Sequence, residues 1–132
     1  DSLEDGVSFF MAELKRLKEI VDMSRDKQDG RVLFFLLDEI LQGTNSVERH
    51  ICVVRVLRHL IHHGATGAIS THDLDLAKSE DLTPHCDAVY FRENIDSDGD
   101  GKMTFDYIMR HGVATTTNAL HLLELVGLSE VD

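Results

Sequence analysis

Six apolar residues stand in an unbroken row from Val32 to Leu37 (VLFFLL), and two acids, Asp38 and Glu39, follow at once. A strand with one wet face alternates apolar and polar residues. A run without alternation reads as a strand buried on both faces, as in a parallel sheet covered by helices. The sheet then has a carboxyl edge, and on that edge this strand presents two carboxylates.

The segments around the run agree with that reading. From Ser8 to about Ser24 the residues Phe10, Leu14, Leu17 and Val21 form one apolar stripe at helical spacing, with Ser8 as a reasonable N-cap. The polar run RDKQDG, Arg25 to Gly30, ends that helix. A second helix is expected from Ser46 to His63, with Asn45 as N-cap, Glu48 in capping-box position and Gly64 as its stop. ATGAIS, Ala65 to Ser70, is a second short strand, and Asp73 to Ser79 a short helix. From Ala88 the period changes to two. Val89, Phe91, Glu93 and Ile95 face one way, and Phe105, Tyr107 and Met109 do the same on the return, which predicts a β-hairpin. Thr115 to Val126 closes the chain as a helix with Ala119, Leu122, Leu123 and Val126 inward. Helix, strand, helix, strand, helix, hairpin, helix argues for a three-layer α/β fold spanning residues 1–132 as one domain.

The two strands end alike. The first runs into Asp38-Glu39 and the second into Thr71-His72-Asp73, so parallel pairing brings Asp38, Glu39 and His72 to one edge, where open α/β sheets bind ligands. Such a set suits phosphoryl transfer: one carboxylate for Mg²⁺, one to position or deprotonate water, and a polar group on the terminal phosphate. Acids at a strand end often do no more than face water. A histidine that ends the next strand in the same way favours the functional reading.

The hairpin tip, DSDGDG at Asp96 to Gly101, opens like a calcium loop, with aspartates at its first, third and fifth places and glycine at the sixth. The twelfth place, which needs a bidentate Glu, is Tyr107; Asp106 is one residue early, and the flanks read as strands. Gly99 and Gly101 serve a turn instead. His59, His62 and His63 put an i,i+4 pair on one helix face, but no acid or cysteine joins them, and histidines suit a helix C-terminus.

Composition narrows the class. The chain has 132 residues, 42% hydrophobic and 28% charged, which suits one compact domain. It starts at Asp1 inside what reads as a continuing polypeptide. No apolar run approaches the ~20 residues of a membrane helix, and Cys52 and Cys86 read as free thiols in a reducing cytoplasm. The formal net charge of -11 argues against nucleic-acid binding by this chain on its own, and the cationic stretch 49–63 is too modest to reverse that.

LLDEILQGTNS followed by STHD at Ser70 to Asp73 resembles the MutS family of DNA mismatch repair ATPases, members of the ABC superfamily. DSLEDGVSFFMAEL, Asp1 to Leu14, is similar to that family's signature segment, and Phe91 to Leu128 to the hairpin and helix that close its ATPase domain. The GTNS and TTTNAL wording leans towards MutS-like side branches. The resemblance implies a three-layer P-loop NTPase-like (ABC ATPase) half-domain with a mostly parallel sheet, a C-terminal β-hairpin and a closing helix. It implies ATP and Mg²⁺ as cofactors, and an ATPase that works as a dimer or paired ATPase half to control DNA binding through other domains. By position, Asp38 corresponds to the Walker B aspartate that holds Mg²⁺ through water, Glu39 to the catalytic carboxylate, and His72 to the switch histidine at the γ-phosphate. Gly43, Thr44, Asn45 and Ser46 correspond to the loop that crosses the dimer interface. Ser8 corresponds to the signature that meets the partner's nucleotide.

One departure is large. The only Gly-Lys is Gly101-Lys102, with Asp96 at the first glycine's place and Met103 after the lysine, so there is no P-loop. In ABC-type ATPases the P-loop strand lies between the two strands found here. Their direct pairing would move His72 relative to Glu39 by about one strand spacing, ~4.8 Å, and spoil the site. The chain alone is therefore expected to be inactive. The alternatives are a small acidic calcium-binding module using the Asp96–Gly101 loop and a non-catalytic dimerisation remnant.

Overall fold

The computed structural model describes residues 2–95, 103–115 and 118–131, which fall into two compact units, Asp1–Cys86 and Asp87–Asp132. The first unit runs α1 (Ser2–Ser24), β1 (Phe34–Asp38), α2 (Ser46–His62) and β2 (Thr66–Ser70), with short 3-10 turns at Gln28–Gly30 and Leu74–Lys78.

Helix α1 begins well before Ser8, so Ser8 is an exposed interior residue of the helix and not its N-cap. Glu4 and Asp5 occupy the first turn, where carboxylates favour the positive end of the helix dipole. A glycine inside a helix costs only about 1 kcal/mol, so Gly6 does not stop it. The apolar stripe is as the spacing predicts: Leu17 and Val21 are buried, and Phe10 and Leu14 pack against the core. In α2, Asn45 caps by accepting the Glu48 N–H at 2.8 Å. The Glu48 carboxylate accepts from the Thr44 hydroxyl at 2.7 Å. Val53, Leu57 and Leu60 form its buried face.

Strands β1 and β2 pair directly and in parallel, from Phe34 opposite Thr66 to Asp38 opposite Ser70. Gly67 stands opposite Phe35, and a Cβ there would overlap the Phe35 carbonyl oxygen and come within 2.6 Å of its ring. The strand is not buried on both faces as its unbroken apolar run suggests. Phe35 and Leu37 enter the core shared with α1 and α2, but Phe34 is 64% and Leu36 72% exposed. The core covers one face of the pair only. Leu76 and Leu82 complete that core, and Leu41 and Leu60 are fully buried in it. Where α1 gives way to the next turn, Arg25 Nε donates to His63 Nε2 at 3.2 Å and Lys27 Nζ to the His63 carbonyl. Burial first, then the Arg25 charge, pushes the His63 imidazole below its ordinary 6.5.

In the second unit, β3 (Val89–Ile95) and β4 (Met103–His111) pair antiparallel, followed by α3 (Asn118–Leu125). The hairpin is therefore present, while the Asp96–Gly101 tip lies outside the described residues. The period-two reading of β4 breaks at a bulge. Phe91 faces Met109 and Glu93 faces Phe105, so Arg92 alone opposes Asp106, Tyr107 and Ile108. Tyr107 takes φ 56°, and Asp106 accepts the Ile108 N–H at 3.0 Å and both guanidinium nitrogens of Arg110 at 2.7 and 3.2 Å. Helix α3 is shorter than its sequence suggests. Gly127, at φ 91°, ends it in a Schellman motif, with Leu128 N–H on the Leu123 carbonyl and Gly127 N–H on that of Glu124. The expected inner face fails: no described residue of this unit is buried, and Leu123 and Val126 are exposed.

Among the described residues the chain is thus α/β with two two-stranded sheets and three α-helices, in place of the single three-layer sheet expected from element order. The reason is visible in β1 and β2. Two short strands form too narrow a surface to carry helices on both faces. No described helix is long and apolar enough to cross a membrane.

Candidate active site at the sheet edge

Asp38 and Ser70 are the last residues of their strands and face each other in the ladder. The Ser70 hydroxyl donates to Asp38 Oδ1. The ladder continues one bond further, with Glu39 N–H on the Ser70 carbonyl at 3.0 Å. The chain then turns sharply. Glu39 takes φ 47° and Leu41 φ 63°, in the left-handed region where a side chain costs roughly 1–2 kcal/mol. Two contacts offset that cost: the Leu41 side chain is fully buried, and its N–H donates to Glu13 Oε2 on α1 at 2.9 Å. Backbone held in such regions concentrates at functional sites, because only surrounding structure can keep it there.

The turn aims Glu39 along the edge towards β2. His72 Nε2 lies 2.5 Å from Glu39 Oε1, although the His72 side chain is 88% exposed. So Asp38, Glu39 and His72 do converge, but Glu39 and His72 bond to each other. The loop around His72 is stapled on both sides. Asp73 N–H donates to Thr71 Oγ1 at 2.9 Å, and Asp73 Oδ1 accepts the Asp75 N–H at 3.1 Å. Asp73 Oδ2 meets His50 Nδ1 of α2 at 2.5 Å.

Loop residues Gly43, Thr44, Asn45 and Ser46 lead directly into α2. Gly43 passes so close to α1 that a Cβ would sit 3.2 Å from Phe10 Cβ. Thr44 and Asn45 are occupied in capping, and Arg49 reaches back to Gln42 Oε1 at 3.3 Å. Ser8 lies within α1, two residues before Phe10. There the helix ladder already takes backbone N–H groups, so the free donors of a helix start are not at Ser8.

Sequence reasoning missed Glu13, His50 and Ser70 as site partners. Ser70 was open to discovery, since it ends the second strand as Asp38 ends the first. Glu13 and His50 gave no local signal, because their roles depend on how helices dock beside the edge.

Known proteins resemble this chain over nearly its whole length. MutS domain V matches residues 1–131. Similar proteins include DNA mismatch repair protein MutS 2 of Halobacterium salinarum, 27% identical over 132 residues, covering 98% of this chain and 14% of that protein. DNA mismatch repair protein MutS of Geobacillus kaustophilus is 28% identical over 129 residues, covering 97% of this chain and 14% of that protein. DNA mismatch repair protein MSH3 of Yarrowia lipolytica is 31% identical over 132 residues, covering 98% and 12%. The chain therefore spans about one-seventh of the length of these relatives. No solved structure matches it. With MutS domain V matching all but the last residue of the chain, the chain belongs to the MutS family of DNA mismatch repair proteins.

Proposed function

We propose that this chain supplies the water-activating half of an ATPase site in a mismatch repair protein, where ATP bound and hydrolysed in a dimer controls the grip on DNA. The observation that carries the reading is that β1 and β2 run parallel, so that Asp38, Glu39 and His72 share one edge of the sheet. Asp38 ends β1 with a carboxylate on the sheet edge, the ligand type Mg²⁺ prefers, so this residue fits a magnesium held through water. When bound, the ion would neutralise phosphate charge and orient the nucleotide. Glu39 takes the role of base towards the attacking water, and His72 that of donor to the terminal phosphate. Gly43, Thr44, Asn45 and Ser46 face the partner, and Ser8 on α1 belongs to the signature surface.

This reading needs a further strand, because the chain carries no P-loop sequence of its own. A P-loop strand placed between β1 and β2 would part Glu39 and His72 by about one strand spacing, ~4.8 Å, and leave room for phosphate. That strand would also extend this unit towards the three-layer P-loop NTPase-like fold. The second reading is a dimerising module without catalysis, in which Glu39 and His72 stay bonded to each other. One assay separates the two. In an ATPase domain completed by a P-loop half, Glu39→Gln should keep nucleotide bound and slow turnover by ~10²–10⁴-fold. Asp38→Ala should instead weaken Mg²⁺-dependent binding. Turnover at the unsubstituted rate in the Glu39→Gln domain would remove Glu39 from the chemistry, and a completed domain that binds ATP without hydrolysing it would leave the dimerising reading.

A further inference from the structure

Two side chains beside the edge, His50 and Asp73, have no part in the chemistry above, yet they connect α2 with the loop that carries His72. His50 lies in the second turn of α2, and its Nδ1 meets Asp73 Oδ2 at 2.5 Å, with the two side chains only 32% and 22% exposed. The same carboxylate caps the following 3-10 turn through the Asp75 N–H, and the Asp73 N–H is tied to Thr71 Oγ1. Asp73 thus fixes the chain on both sides of His72. His72, at 88% exposed, has little packing of its own to fix it. One turn before His50, α2 begins at the loop Gly43 to Ser46, which Asn45, Thr44 and Arg49 fasten to the helix.

We propose that His50 is a positioning residue: through Asp73 it fastens the His72 loop to α2, so that His72 moves with the helix that starts at the Gly43–Ser46 loop. A helix is stiff along its hydrogen-bonded axis, so a displacement at its first turn reaches His50 almost undiminished. A hydrogen bond with a carboxylate, shielded as this one is, is among the stronger side-chain links. The inference rests on the proposed ATPase reading for what His72 does, but not for where His72 is held.

The test therefore has two arms. In the uniformly isotope-labelled 132-residue chain, NMR reads the His72 imidazole and the amides of Thr71, His72 and Asp73 directly. His50→Leu keeps bulk but loses the link, and should shift all of these signals while leaving amides at the far end of α2 unchanged. His50→Gln, which retains a donor, should restore them in part. If His50→Leu does not fold, Asp73→Asn keeps an acceptor for the Asp75 N–H and should show the same displacement. Unchanged His72 and loop signals in either folded variant overturn the proposal. In an ATPase domain completed by a P-loop half, His50→Leu should lower kcat about tenfold, within what slight misplacement of a catalytic group costs, with KM for Mg-ATP unchanged. A rise in KM with kcat intact also overturns it, because it marks lost ground-state binding. Displaced NMR signals with unaltered kinetics would uphold the link and refute the role given to His72.

Discussion

Gly67 is where the pairing of β1 with β2 meets its hardest test. The residue stands opposite Phe35, where a Cβ would overlap the carbonyl oxygen and crowd the ring, and neither can withdraw without parting the strands. Gly67→Ala should lower stability by about 1–3 kcal/mol, the usual cost of an overfilled site, read as a lower urea midpoint at unchanged slope. An unaltered midpoint would mean that the two strands do not approach this closely in solution. The site residues were legible to different degrees at this scale. Asp38, Glu39 and His72 could be placed on one edge because each follows an apolar strand run. The left-handed turn at Glu39 and Leu41 could not be foreseen, because nothing in Glu-Ile-Leu demands positive φ. It is imposed by the Leu41 side chain entering the core and by Glu13 taking its N–H.

Elements were legible where local chemistry decides them. Helix α2 lies where its cap and its glycine stop predict, and α1 carries the expected buried face. Two errors came from tertiary context. The run Val32 to Leu37 cannot reveal that only one of its faces meets helices, and the alternation at Phe105, Tyr107 and Met109 conceals a bulge set by Asp106 and Arg110. That bulge gives a pH prediction. The Arg110 guanidinium, then the Ile108 N–H, hold the Asp106 carboxyl down at about 2 from an ordinary 3.8. A lowered carboxylate value contributes its stabilisation fully above the ordinary value, and loses it as pH falls through the folded one. The bulge should thus be intact above 3.8 and released as pH drops towards about 2, which the Asp106 carboxyl carbon would report in an NMR titration. Arg110→Gln should move the midpoint back up. A midpoint already at 3.8 in the unsubstituted chain would show that the ion pair does not hold the bulge.

For the whole molecule, the decisive facts are an acidic surface and a narrow sheet. With 24 acids against 13 lysines and arginines the chain repels polyphosphate, and it has no P-loop sequence, the motif whose backbone N–H groups cradle phosphate. Calorimetry on the lone chain should find no saturable Mg-ATP binding tighter than ~1 mM, equivalent to about 4 kcal/mol. Tighter binding would mean that the edge around Asp38 recognises nucleotide without a phosphate loop. The uncovered face of β1 has a different consequence, for how the chain behaves in bulk. Phe34 and Leu36 make each molecule adhesive, while the net charge of -11 keeps molecules apart. Added salt acts on only one of these. Between 0.1 M and 1 M the screening length shrinks from about 10 Å to about 3 Å. Solutions of this chain should therefore stay clear when dilute in electrolyte and turn turbid as ionic strength climbs, in the manner of a charge-stabilised colloid.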